Sequence, residues 1–118
     1  MSIPTILVHQ VGTKTVTYTD VGASTNGIAF IASEYPVKTV QAYGTFGGTV
    51  TIQGSNDPLG LTTPSSAVWF TLTTVDATTG ITFTAAGMKK INENPRFVRA
   101  ITGVGVTAAT IVFECAEA

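Results

Sequence analysis

Short runs of Val, Ile, Thr, Phe and Tyr recur along the chain, each closed by a cluster of Gly, Asn, Asp or Pro. In Thr49-Val50-Thr51-Ile52-Gln53 apolar and polar positions alternate, which puts Val50 and Ile52 on one face of a half-buried strand. Strands are expected at Ile6–His9, Thr15–Thr19, Ile28–Ala32, Thr39–Tyr43, Thr49–Gln53, Trp69–Thr73, Ile81–Thr84, Phe97–Thr102 and Thr110–Glu114. The segments between them carry the residues that turns need, as in GASTNG, GTFGG and GSNDPLGLTTPSS. Phe97-Val98-Arg99-Ala100-Ile101 allows two phases: one turns Arg99 inward with Phe97 and Ile101, the other buries Val98 and Ala100. Helical periodicity is confined to Thr84–Asn92, one or two turns stopped by Asn94-Pro95, because the residue before a proline is driven out of the helical region.

This pattern predicts an all-β fold, an antiparallel β-sandwich or jelly roll with at most one short helical turn. Residues 1–12 read as an extended N-terminal arm and residues 13–118 as one β-sandwich domain, a size at which a chain folds without disulfides or metal. Charge changes the picture. Only 11% of the residues are Asp, Glu, Lys or Arg, against roughly 25% in ordinary soluble domains. Threonine is the commonest residue, and the formal net charge of -1 gives little repulsion between copies. Such a surface favours association with copies of itself or with a partner. Cys115 has no cysteine to pair with and reads as a small buried residue of the last strand, compatible with assembly in a reducing cytoplasm. No secretory leader is evident in MSIPTILVHQ, and no apolar run approaches the roughly 20 residues of a membrane span.

Candidate chemistry is sparse. His9 is the sole histidine and stands far in sequence from any nucleophile, so it reads as a solvated or interface residue. One His and one Cys leave a zinc set unfilled. Asn56, Asp57 and Asp76 supply oxygen atoms in loops, without the clustered carboxylates of a calcium loop. Gly44-Thr45-Phe46-Gly47-Gly48 lacks the lysine and the following helix of a phosphate loop. Six dispersed Lys and Arg against seven Asp and Glu make no footprint for nucleic acid. The expectation is therefore a protein that is not an enzyme and carries no cofactor. Asp57 is expected to pair with Arg99, since a guanidinium among apolar residues needs a partner.

Two resemblances add to this reading. Ile52-Gln53-Gly54-Ser55-Asn56-Asp57, then Trp69, Leu72 and Arg96-Phe97-Val98-Arg99, resemble the signature of discoidin-like (F5/8 type C) β-sandwiches, which are binding modules. Here Pro58 to Pro64 interrupt that pattern. The same run, extended through Ile81-Thr82-Phe83-Thr84 and Ile91-Asn92-Glu93-Asn94-Pro95, resembles small virion proteins of tailed bacteriophages, among them the cement or decoration proteins of capsids. That resemblance implies a major capsid protein as partner, a homo-oligomer on the capsid surface, assembly in the host cytoplasm, and neither nucleic acid nor membrane as partner. Contact residues would be Ile3, Leu7 and His9 in the arm, Tyr35 and Phe46 in turns, and Leu59 and Leu61 in the long loop. The alternative is a carbohydrate-binding module of a phage tail or fibre, with Trp69, Tyr43 or Tyr35 as stacking platform.

Overall fold

The alternation that marks the strands also sorts them into two antiparallel sheets. The computed structural model describes residues 13–76 and 78–117, and residues 5–7 as backbone. In chain order the strands are β1 (Thr5–Leu7), β2 (Thr13–Val21), β3 (Phe30–Ile31), β4 (Val37–Thr45), β5 (Val50–Ser55), β6 (Phe70–Thr71), β7 (Thr82–Phe83), β8 (Gly87–Ile91), β9 (Phe97–Thr102) and β10 (Ala108–Ala116). One helical turn, α1 (Leu59–Thr62), lies between β5 and β6. The first sheet has the order β1-β2-β10-β4-β8, and the second β3-β9-β5-β6, with β7 also paired to β5. Strands adjacent in sequence are thus mostly split between sheets, and the last strand lies between β2 and β4. This is the jelly-roll form of a β-sandwich.

Val16 and Tyr18 of β2, Val40 and Ala42 of β4, and Ile111 and Phe113 of β10 point inward from the first sheet. Val50 and Ile52 of β5 meet them from the second sheet, with Val98 and Ala100 of β9. Phe113 takes edge contacts from Phe30 and Tyr18, at centroid distances of 5.1 and 6.1 Å, the arrangement the aromatic quadrupole favours. The Tyr18 hydroxyl donates to the Ile28 carbonyl, so this phenol is buried without an unmet donor. Two turns close one end of the sandwich by touching through glycines. Gly47 and Gly105, at φ of 142° and 97°, lie so close that a Cβ on either would strike the other's carbonyl oxygen.

One sequence expectation is corrected by this arrangement. Residues 87–91, expected to be helical, form β8 beside β4, with Gln41 opposite Met88 and Lys38 opposite Ile91. Burial of Ile91 against the core decides this, since tertiary packing overrides the helical propensity of Met-Lys-Lys. The helical turn falls instead in the long loop, where the amide of Thr63 donates to the Leu59 carbonyl at 2.8 Å. Part of the expected arm is also structured: residues 5–7 pair with β2 at the edge of the first sheet, with Thr5 opposite Thr17. The rest of residues 1–12 lies outside the described residues.

Candidate partner-binding surfaces

The loop from Asn56 to Trp69 folds over the outer face of the second sheet. Its hinge is Asp57, whose carboxylate accepts the amides of Leu59 at 3.0 Å and Val68 at 3.1 Å, tying both ends of the loop to one side chain. Ser55 adds a second clasp, donating to the Val68 carbonyl and accepting the Asp57 amide. Beneath the loop the outer face of β9 is covered: Phe97 meets Gly60 of α1, and the Arg99 guanidinium stacks 4.0 Å from the Trp69 ring. Arg99 Nε donates to Gln53 Oε1 at 2.9 Å, and Trp69 Nε1 donates to the Pro64 carbonyl at 3.0 Å.

This geometry resolves the phase of β9 and corrects the expected ion pair. Val98 and Ala100 face the sandwich core, while Arg99 lies on the opposite face and is buried by the loop. Among the described residues no Asp57–Arg99 pair forms: the Asp57 carboxylate is turned to the amides of Leu59 and Val68, while the guanidinium lies on the Trp69 ring and donates to Gln53.

At another place in the sandwich a row of inward side chains carries charge. Lys14, Cys115 and Lys38 are register neighbours across β2, β10 and β4. Lys38 is fully buried, donating to the Tyr35 carbonyl at 2.7 Å and to Asn94 Oδ1 at 2.6 Å. Burial lowers its pKa, with a weaker opposing influence from Cys115. The Cys115 thiol is pushed up to about 11, chiefly by burial, with Lys38 and Lys14 opposing. Lys14 donates to the Ile31 carbonyl and lies 5.5 Å from the Phe30 ring centroid. Both lysines are thus held by internal carbonyls.

The outer face of the first sheet is broad and nearly without charge. Directly opposed residues share a face, so Val37, Thr39, Gln41 and Tyr43 of β4 lie with Ala116, Glu114 and Val112 of β10, Thr13, Thr15 and Thr17 of β2, and Met88 and Lys90 of β8. Glu114 accepts a hydrogen bond from Thr15 Oγ1 at 2.8 Å, which ties down one of the two charges among these residues. Tyr43 and Met88 project from it, 45% and 64% exposed.

The residues expected to make contacts are scattered rather than gathered. Leu59 and Leu61 are exposed on the loop that covers the second sheet, whereas Tyr35 and Phe46 pack half-buried against the core. Leu7 stands on β1 with only its backbone described, and Ile3 and His9 lie outside the described residues. The aromatic platforms do not converge either. Trp69 has a face taken by Arg99, Tyr35 lies beneath Lys14, and Tyr43 lies on the outer face of the other sheet. Phe70, 70% exposed, had no signal in the sequence, because it sits in an apolar run that reads as core.

No family model and no curated protein matches the sequence. Solved structures do match in fold. The SPBc2 prophage-derived protein YomS superposes with a TM-score of 0.65 at 10% identity, covering 94% of this chain and 99% of that one. An RmlC-like cupin family protein with a double-stranded β-helix fold, from Methanocaldococcus jannaschii, gives a TM-score of 0.51 at 7% identity, covering 99% of this chain and 81% of that one. The fold is therefore a double-stranded β-helix, and it is one that a phage-derived protein also uses. These likenesses overturn the expectation that the chain is not an enzyme: it shares its fold with a cupin family protein, and one fold hosts many functions, so a sparse motif content does not exclude catalysis. Inside the sandwich, no buried side-chain nitrogen or oxygen among the described residues lacks a partner, and no group of three His, Cys, Asp or Glu is assembled there.

Proposed function

We propose that this chain is a structural protein of a tailed-phage particle, a cement or decoration protein on the capsid surface that bridges neighbouring major capsid subunits and acts as a homo-oligomer. One observation carries the reading: across β2, β10, β4 and β8 the outer face of the first sheet presents threonine, valine, glutamine, tyrosine and methionine, with Glu114 and Lys90 as the charged side chains among the residues placed there by the register. Desolvating such a face costs little, since hydroxyl and amide groups find new partners where buried charges would need matched ones. Large interfaces deplete charge at their centre and keep aromatic residues and methionine there. Tyr43 and Met88 fit that composition. The fold shared with a prophage-derived protein supports the phage setting.

In this reading each chain contributes a modest flat contact, and symmetry multiplies it around a shell. Among the described residues β1 is the edge strand of the first sheet, and its outer edge offers backbone to a neighbouring strand in the same way. The test is sedimentation of the purified protein alone and with phage shells lacking it, followed by heating of the shells. Co-sedimentation at a fixed copy ratio with improved heat resistance supports the proposal, while a protein that ignores shells refutes it.

A further inference from the structure

A hollow of about 420 Å³ opens in the second sheet where β5 runs out, away from the flat outer face of the first sheet. That volume falls within the roughly 300–1,000 Å³ usual for small-molecule sites, which favour the mouths of β-barrels. Its apolar part is built by an absence. Gly54 continues the inward row of Val50 and Ile52, and because it has no side chain Leu72 and Pro95 close directly over its backbone, each 2.6 Å from where a Cβ would stand, and form the floor of the hollow. Phe70, directly opposite Gly54 on β6, stands beside this floor largely uncovered.

The rim is polar and already oriented. Asp57 is fixed by the amides of Leu59 and Val68. Glu93 accepts the Thr73 amide at 2.8 Å and the Thr73 hydroxyl at 2.6 Å. Burial works against its charge, but the bonds from Thr73 outweigh that and hold the carboxyl below its ordinary value. Asn94 is pinned through Oδ1 by Lys38 and through Nδ2 by the Ser33 carbonyl. A carboxylate oxygen that accepts one internal bond keeps a second lone pair, so both carboxylates present acceptors without side-chain freedom to lose. Asn56 uses its Oδ1 for the Arg96 amide at 2.8 Å, which leaves its NH₂ group to donate.

We infer that this hollow binds a neutral saccharide, with one pyranose ring laid on Phe70 and the Leu72–Pro95 floor and its hydroxyls donating to Asp57 and Glu93. A pyranose has an apolar C–H face edged by hydroxyl groups, and it needs what the hollow combines: one apolar wall with an aromatic, acceptors fixed at the rim, and a donor from Asn56. A wholly apolar ligand would leave two ionised carboxylates desolvated and unpaired, which is costly. The preorganisation of Asp57, Glu93 and Asn94 lowers the entropy lost on binding. Because the site lies away from the flat face, it operates whether or not that face meets a shell.

Titration of the full ¹⁵N-labelled chain with methyl glycosides of glucose, galactose, mannose and N-acetylglucosamine tests this, with a linear alkylamine as comparison. Saturable shifts confined to amides around residues 54–57, 68–72 and 92–94, with a millimolar dissociation constant for at least one glycoside, are expected. Phe70→Ala weakens that binding tenfold or more and Phe70→Tyr keeps it, while both leave the rest of the spectrum in place because the side chain is exposed. Absence of saturable shifts with every glycoside overturns the inference. Saturation by the alkylamine alone also overturns it and assigns the two carboxylates to a cation. Equal glycoside binding by Phe70→Ala overturns the inference as well, since the ring is then not laid on Phe70.

Discussion

Arg99 and Trp69 give the sharpest test of how the long loop is held. Arg99→Met keeps the aliphatic stem of the side chain but removes the guanidinium that stacks 4.0 Å from the Trp69 ring and donates to Gln53 at 2.9 Å. A desolvated cation–π contact contributes about 2 kcal/mol, and a hydrogen bond from a charged group about 1.5–3 kcal/mol. Against these stands the cost of covering the guanidinium, several kcal/mol for a fully buried ion and less here because Arg99 keeps 9% of its surface in water. The net loss expected for Arg99→Met is then about 1–2 kcal/mol, which for a domain of this size lowers Tm by roughly 4–12 °C. Because desolvation and contact terms oppose each other in the single variant, the decisive quantity is the coupling between the two side chains. Urea unfolding of the parent, Arg99→Met, Trp69→Leu and the double variant, followed by circular dichroism, isolates it. A coupling of about 1–2 kcal/mol is expected, with Arg99→Lys failing to restore it because an ammonium cannot stack as a plane. A coupling indistinguishable from zero, or full rescue by lysine, would refute the claim that this stack clamps the loop.

Buried Cys115 and Lys38 and the tightly packed Gly60 give three further tests. Cys115 is held protonated in the folded chain up to about 11, above its ordinary 9.0, so the native state binds more protons than the unfolded one in that interval. Its contribution is complete below the ordinary thiol value and is lost as pH rises through the folded one, at about 1.4 kcal/mol per pH unit at most; Cys115→Val flattens that decline in urea melts run from pH 8 to 11. Lys38→Ala strands the Tyr35 carbonyl and Asn94 and opens a void, costing about 3 kcal/mol, whereas Lys38→Met, which fills the space, costs visibly less by thermal melting. Gly60→Ala places a Cβ 2.5 Å from Phe97 Cδ2 and lowers stability by about 1–3 kcal/mol through overpacking. Gly80→Ala, whose Cβ would meet Thr71 Cγ2 at 3.3 Å, is the milder comparison by the same assay.

Much of the sandwich could be read from the alternation of Val, Ile and Phe with Thr, because one face of each strand is buried and the other is not. β5 and β9 show where that reading stops. Alternation marked both, yet it could not choose the phase of β9, since the outer face is covered too: Phe97 and Arg99 are as hidden as Val98 and Ala100. A loop laid over a sheet erases the polar signal that phase assignment needs. β8 was illegible for another reason. Met88, Lys89 and Lys90 are good helix formers, and only the long-range pairing of residues 87–91 with β4 makes them a strand. Asp57 was legible as a turn former and misread as an ion-pair partner, because sequence does not show that the amides of Leu59 and Val68 reach it first. The hollow beside Phe70 depends on Gly54, Phe70 and Glu93, drawn from three strands and turns far apart in sequence, and no local motif announces it. The flat, weakly charged face of the first sheet was foreshadowed by composition alone, through the scarcity of charge and the abundance of threonine.

The most direct test of the proposed role places charge on that face. Gln41 and Tyr43 lie on the outer side of β4 and are exposed, so Gln41→Glu with Tyr43→Glu adds two carboxylates without disturbing the core. The measurement is co-sedimentation of the parent and this double variant with phage shells lacking the protein, with an unchanged circular dichroism spectrum as the control for folding. Saturable binding of the parent is expected, with loss of binding by at least tenfold in the variant. Binding of both chains alike would contradict the assignment of the face, and failure of the parent to bind would contradict the role itself.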